Sequence, residues 1–214
     1  MLSVDNIPKT DDAVAMLPTD FEFIFVIAEV SGPGDERIVA ASNNLDITVS
    51  SIGGLTLASV TVEGTDATAA GLSASVDLGH FGFDVIRTYP DLVTRQDIAD
   101  RIGVSRQAVS SWTRGERCGN DPFPSATSLV GDGIWLWADV VEWRRRNGHE
   151  IDDDIAYPSL ADHARVDAYL AKRQEITLNA QPSSERLHFA PAVTRPAFVW
   201  GMADSSQRDY SLAS

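Results

Sequence analysis

Residues Thr94–Arg117, TRQDIADRIGVSRQAVSSWTRGER, read as two short helices joined by a tight turn. Thr94 is suited to cap the first helix. Asp97 stands three residues later, where a capping-box carboxylate reaches back to the cap. Ile98, Ala99 and Ile102 then recur at helical spacing. Gly103 follows where the chain must turn sharply, a position that often needs positive φ. Val104 fills the gap between the helices, and Ser105 caps the second. Val109 and Trp112 fall on the inner face of that helix, and Gly115 ends it. The outer face is left with Arg106, Gln107, Ser110, Ser111, Thr113 and Arg114. Each can donate a hydrogen bond and none is acidic.

That composition suits the major groove of duplex DNA. Base edges there offer acceptors to Arg and both kinds of group to Gln, and Ser and Thr adapt to either. An acid on this face would repel phosphates. An ordinary αα-hairpin inside some other domain is the alternative. The stretch RQDIADRIGVSRQAVSSW resembles the helix-turn-helix of bacterial and phage regulators.

Downstream of the corner, CGNDPFPSATS is a loop with Pro122 and Pro124, and SLVGDGIWLW reads as a hairpin turning at Gly131-Asp132-Gly133. Its arms are Leu129-Val130 and Ile134-Trp135. Ala138–Asn147 reads as a helix packing through Val140, Val141 and Trp143 and ended by Gly148. Two short helices, a hairpin and a third helix make a winged helix-turn-helix. The region 91–150 is similar to the MerR-like and excisionase regulators, in particular small AlpA-type phage proteins. The likeness lies in the corner, Phe123-Pro124, the wing at Val130–Ile134 and the aromatic-led helix Trp135–Trp143. It implies DNA contact by the second helix and the wing tip. The candidate DNA-binding set is therefore Arg95, Ser105, Arg106, Gln107, Ser110, Ser111, Thr113, Arg114, Arg117, Gly131 and Gly133. Unlike typical MerR-like proteins, the chain offers no sustained heptads after the wing. The stretch 151–176 offers one accessory helix, Ser159–Gln174, so the mode of any homodimerisation stays open.

Several residues carry two readings. Arg144-Arg145-Arg146 either meets phosphate or complements the dipole at a helix C-terminus. Trp135, Trp137 and Trp143 fit a small domain's core better than base stacking. Cys118 is the only cysteine, better read as a bystander thiol than a redox switch.

Upstream, residues 20–90 alternate strand and helix signals. Asp20–Glu29, DFEFIFVIAE, is apolar on both faces and belongs inside a sheet. Glu36–Asn43 forms a short helix. Leu45–Ile52 and Leu55–Glu63 flank Gly53-Gly54 as a hairpin. Asp66–Phe81 has Ala69, Leu72 and Val76 at helical spacing with Thr65 as cap, and Phe83–Thr88 is a last strand. The order βαββαβ predicts a ferredoxin-like domain with two covering helices. The fold class is thus α+β: a flexible arm (1–19), a ferredoxin-like domain (20–90), a winged helix-turn-helix (91–150), the accessory helix, and a polar flexible tail (177–214). Phe198-Val199-Trp200 is an apolar patch in that tail, either docking on its own chain or binding a partner. His80 is a lone histidine and fits a structural role better than metal ligation.

The 214-residue chain carries a net charge of −14. Residues 1–90 hold 3 Lys/Arg against 13 Asp/Glu, whereas Thr94–Arg117 holds five Arg against Asp97, Asp100 and Glu116. Asp11, Asp12, Asp20, Glu22, Asp35 and Glu36 are expected to be solvated. An acidic body with a basic reading head should bind weakly off-target and depend on a specific site. No apolar run approaches the ~18 residues a membrane span needs. The opening MLSVDNIPKTDD lacks the basic-then-apolar pattern of a secretory signal, so a cytoplasmic location is expected. No nucleophile–base pair, paired carboxylate motif or phosphate loop stands out, so neither catalysis nor a cofactor nor a metal is expected. The function read from the sequence is sequence-specific regulation of transcription through double-stranded DNA. The alternative is a protein-interaction module, an antitoxin-like or adaptor protein whose acidic half mimics or masks a nucleic-acid surface, with the corner kept only as scaffold.

Overall fold

The computed structural model describes residues 18–116, 121–148 and 154–180. It is an α+β structure with an antiparallel sheet. Residues 1–17, Arg117, Cys118 and the Phe198–Trp200 patch lie outside the described residues.

The first half runs β1 (Thr19–Ile27), α1 (Glu36–Ser42), β2 (Asp46–Ile52), β3 (Leu55–Gly64), α2 (Ala67–His80) and β4 (Val85–Thr88). The sheet order is β2-β3-β1-β4, every pair antiparallel. β1 lies inside the sheet, as its two apolar faces require. Phe23 and Phe25 are fully buried and sit opposite Val60 and Ala58 of β3. Gly53 and Gly54, both at positive φ, make the turn from β2 to β3.

Three local expectations change. Asp66, not Thr65, caps α2, its carboxylate accepting from the Ala69 N–H at 2.9 Å. The last strand starts at Val85, because the Phe83 N–H is already spent on the Leu78 carbonyl at the end of α2. Asp35 is buried rather than solvated. It caps α1 and accepts from Ser31 and from both the backbone and the guanidinium of Arg37. These hydrogen bonds, led by that from the Arg37 guanidinium, hold its carboxyl well below the usual carboxylate range.

The sheet core is completed from far along the chain. Ala156 exchanges backbone hydrogen bonds with Asp20 and Glu22 of β1. α6 (Leu160–Ala180) follows, longer than the sequence predicts, and it buries Val166 and Leu170 against Phe23, Leu78 and Val85. A capping box of Ser159 and Asp162 starts α6, and Asp162 also accepts from the Thr68 hydroxyl at 2.8 Å. Asp167 accepts from the Thr88 N–H of β4 at 2.6 Å. Gly71 of α2 permits the close approach: a Cβ there would lie 2.6 Å from the Phe23 ring and 2.9 Å from Val166. A sheet domain of 20–90 with only its own two helices therefore leaves out a third helix of the same core.

The second half contains β5 (Leu92–Val93), α3 (Arg95–Arg101), α4 (Arg106–Thr113), β6 (Trp135–Leu136) and α5 (Trp137–Arg146). Leu92 pairs with Leu136, and Val93 with Trp135. The expected hairpin arm Leu129-Val130 carries no pairing. Ser128 bridges to Ile134, and residues 129–133 form the loop between them. A second core gathers Val93, Ile98, Ala99, Val109, Phe123, Val140 and Val141 around Trp135, Trp137 and Trp143. The tryptophans are core residues with placed polar edges: the indole N–H groups of Trp135 and Trp143 donate to the carbonyls of Pro124 and Asp121.

Candidate nucleic-acid interface

The corner between α3 and α4 is held by its own caps. The Thr94 hydroxyl accepts from the Asp97 N–H at 3.2 Å, and the Asp97 carboxylate accepts from the Thr94 N–H at 2.8 Å. That backbone hydrogen bond, helped by one from the Thr94 hydroxyl, holds the Asp97 carboxyl below its ordinary pKa. Gly103 turns the chain at φ +69°. The Val104 N–H then donates back to the Ala99 carbonyl. Ser105 starts α4, its hydroxyl accepting from the Ala108 N–H. Ile98 and Val109 lock the two helices from inside, both fully buried.

This frame decides which candidate residues face outward. Ser105, Arg106, Gln107 and Arg114 are exposed, while Ser110, Ser111 and Thr113 are half-buried. The Thr113 hydroxyl donates to the Ser110 carbonyl at 3.0 Å, so its proton is already engaged. Arg95 is half-buried, its guanidinium 5.5 Å from the centre of the Trp135 ring, beside an open groove between Thr113, Phe123 and Leu129. Gly131 is exposed in the loop 129–133. Gly133 is buried instead: a Cβ there would lie 2.6 Å from the Trp135 ring, so this glycine serves packing. Arg117 lies outside the described residues.

Two acids missing from the outward-face reading now enter it. Arg106 donates to Asp132 of the loop 129–133 at 2.8 Å. Arg114 forms two hydrogen bonds with Glu116, at 2.7 and 3.1 Å. The side chains of both pairs are at least half exposed, so water and salt weaken them. Asp132 lies twenty-six residues from Arg106 in sequence. Helical spacing cannot reveal such a neighbour. The one local signal was an acid between two glycines at the expected wing tip.

Other arginines of the region are committed elsewhere. Arg101 forms a two-pronged pair with Asp91 and lies 4.8 Å from the centre of the Trp137 ring. In the triplet at the end of α5, Arg145 donates to the Ile155 carbonyl, and Arg146 pairs with Asp121 and Glu142. Burial pushes the Arg144 pKa down. These contacts favour anchoring over phosphate contact for Arg145 and Arg146. Among the described residues no group of three or more His, Cys, Asp or Glu is placed to hold a metal ion. Nor is any helix among them long and apolar enough to cross a membrane.

Comparison of the chain with protein-family models, with curated proteins and with solved structures returns no match.

Proposed function

We propose that the chain is a DNA-binding protein of the winged helix-turn-helix class, with a ferredoxin-like sheet domain ahead of the reading head. More particularly, it is a sequence-specific transcriptional regulator that lays α4 in the major groove of double-stranded DNA. It acts by binding, not by catalysis, and needs no cofactor.

One observation carries the reading. A helix held by a capped, glycine-turned corner leaves Ser105, Arg106, Gln107 and Arg114 exposed, while Val109 is buried and anchors it. The first residues of such a helix are those that reach base edges, and the hydroxyl, amide and guanidinium groups here match what the groove offers.

The test is selection of bound sequences from a random duplex pool by the full chain, followed by binding to single-base variants of the selected site. A preferred site should emerge. Gln107→Ala should then lose ~1–3 kcal/mol of discrimination at one position. If no sequence is enriched, the regulator reading fails.

A second reading has its own support. Leu129 and Val130 are 86 and 72 % exposed at the wing tip, beside the acidic Asp132. Exposed apolar side chains next to a carboxylate suit a protein partner better than a phosphate backbone, as in an antitoxin-like or adaptor protein. Failure of the selection with retention of a protein partner through Leu129 and Val130 would favour that reading.

A further inference from the structure

Arg106 is the first residue of α4, and Asp132 stands at the tip of the wing loop. Their hydrogen bond joins the two parts of the proposed interface at 2.8 Å. The side chains are 56 and 66 % exposed, so the pair adds little to stability. Yet the loop that carries the carboxylate is anchored to the core beside it. Gly133 sits at φ +98° against the Trp135 ring, and its N–H donates to the Val130 carbonyl at 3.3 Å. Any residue with a Cβ at 133 would collide with that ring. The anchored loop therefore keeps Asp132 within reach of the start of α4.

A phosphate is a poor ligand for this pair. To reach it, Arg106 must leave Asp132 or bring a carboxylate up to a like charge. A base pair is different. In the major groove a G·C pair shows two acceptors, guanine N7 and O6, next to one donor, the cytosine amino group. The pair on the protein shows the complementary set. Arg106 engages Asp132 through one terminal nitrogen, and its remaining N–H groups can donate. Asp132 is engaged through Oδ2 alone among the described residues, and its other oxygen can accept. An A·T pair reverses the requirement near its centre, offering an adenine amino group where guanine has O6.

We propose that Arg106 and Asp132 act as one unit that reads a G·C pair, the guanidinium donating to guanine and the carboxylate accepting from cytosine. The proposal rests on the DNA-binding reading and names the base pair that the start of α4 selects. Asp132 is then a specificity-determining residue, and it also makes Arg106 less available to the backbone of unrelated DNA.

The experiment uses the full chain, the Asp132→Asn and Arg106→Ala variants and the double variant. Each is measured against the duplex selected by the wild-type chain, its single-pair variants and a random duplex, across a salt series. The wild-type chain should hold a G·C pair at one position, and its replacement by A·T should weaken binding about ten-fold or more. Asp132→Asn should lose most of that preference at that position alone, and it should bind the random duplex more tightly at low salt. Arg106→Ala should lose the same preference, and the double variant should be no worse than Arg106→Ala. Both side chains are exposed, so the variants should keep the wild-type melting temperature. A folded Asp132→Asn protein that keeps the full preference at every position overturns the pairing, even if its random-duplex affinity changes. So does an Arg106→Ala protein that keeps its G·C preference. A wild-type chain that enriches no sequence removes the DNA reading itself and this proposal with it.

Discussion

The sheet core and the corner core differ in how far along the chain their parts lie. The buried residues of the corner core run from Val93 to Trp143, with Tyr157 packed at the edge. Those of the sheet core run from Phe23 to Leu170 and skip the whole corner on the way. A chain segment read by its own periodicity reveals the first kind of core and conceals the second. The cost of closing a loop rises only slowly with its length, so a distant helix is a tolerable partner for a sheet. The two regions also treat charge differently. Arg37 meets Asp35 in a buried cap, where the pair serves the fold. Arg106 and Arg114 meet their acids in water, where little stability is at stake and the groups can be exchanged for a ligand.

Removing α6 should separate the two cores most sharply. Val166 and Leu170 each stabilise the sheet core by ~1.5–3 kcal/mol through burial, against a usual total of only 5–15 kcal/mol for a whole protein. A chain ending at residue 153 should therefore lose the cooperative urea transition of the sheet region, while one ending at residue 180 keeps it. If the shorter chain unfolds with the same midpoint and slope, α6 is an ornament and residues 20–90 form a self-sufficient domain.

A smaller effect tests the same contact without removing it. Gly71→Ala places a methyl group 2.6 Å from the Phe23 ring and 2.9 Å from Val166, so α2 or α6 must shift. Overpacking of this kind typically costs ~1–3 kcal/mol. Chemical denaturation should show that loss, and amide exchange should place it in β1, α2 and α6 before the corner. Protection lost first in α3 and α4 would mean that the two cores are one cooperative unit.

The smallest expected effect is a pH dependence at His163 of α6, which is buried with its ring edge-on to Phe23 at 5.7 Å. Burial pushes its pKa down, and the nearby Asp167 and Asp162 only partly oppose this. The folded chain thus binds the His163 proton less readily than the unfolded chain, whose histidine titrates near ~6.5. The contribution is fully present above that value and is lost as pH falls through it toward the lower folded pKa. The urea midpoint should drop between about pH 7.5 and 5.5, a window above the ordinary carboxylate range. His163→Gln should flatten that slope. An equally steep slope in the variant would assign the dependence to other groups.

The caps of the corner, the turn at Gly103, the tryptophan core and the order of strands and helices up to residue 88 were legible in the sequence. All of these depend on neighbours within a few residues: Thr94 finds Asp97, Ser105 finds Ala108, and apolar side chains recur at the period of their element. The outward direction of Arg106, Gln107 and Arg114 followed from the same local geometry. Tertiary structure alone decided the rest. It turned Trp135 from Leu129-Val130 toward Val93, buried Gly133 beneath the Trp135 ring, and seated α6 on Phe23. It also brought Asp132 to Arg106, so that a face without acids in the helix acquired one from the loop 129–133. Periodicity tells which face of an element seeks partners, but it does not say which distant side chains arrive there. That depends on packing the two cores at once, a condition no single stretch of sequence contains.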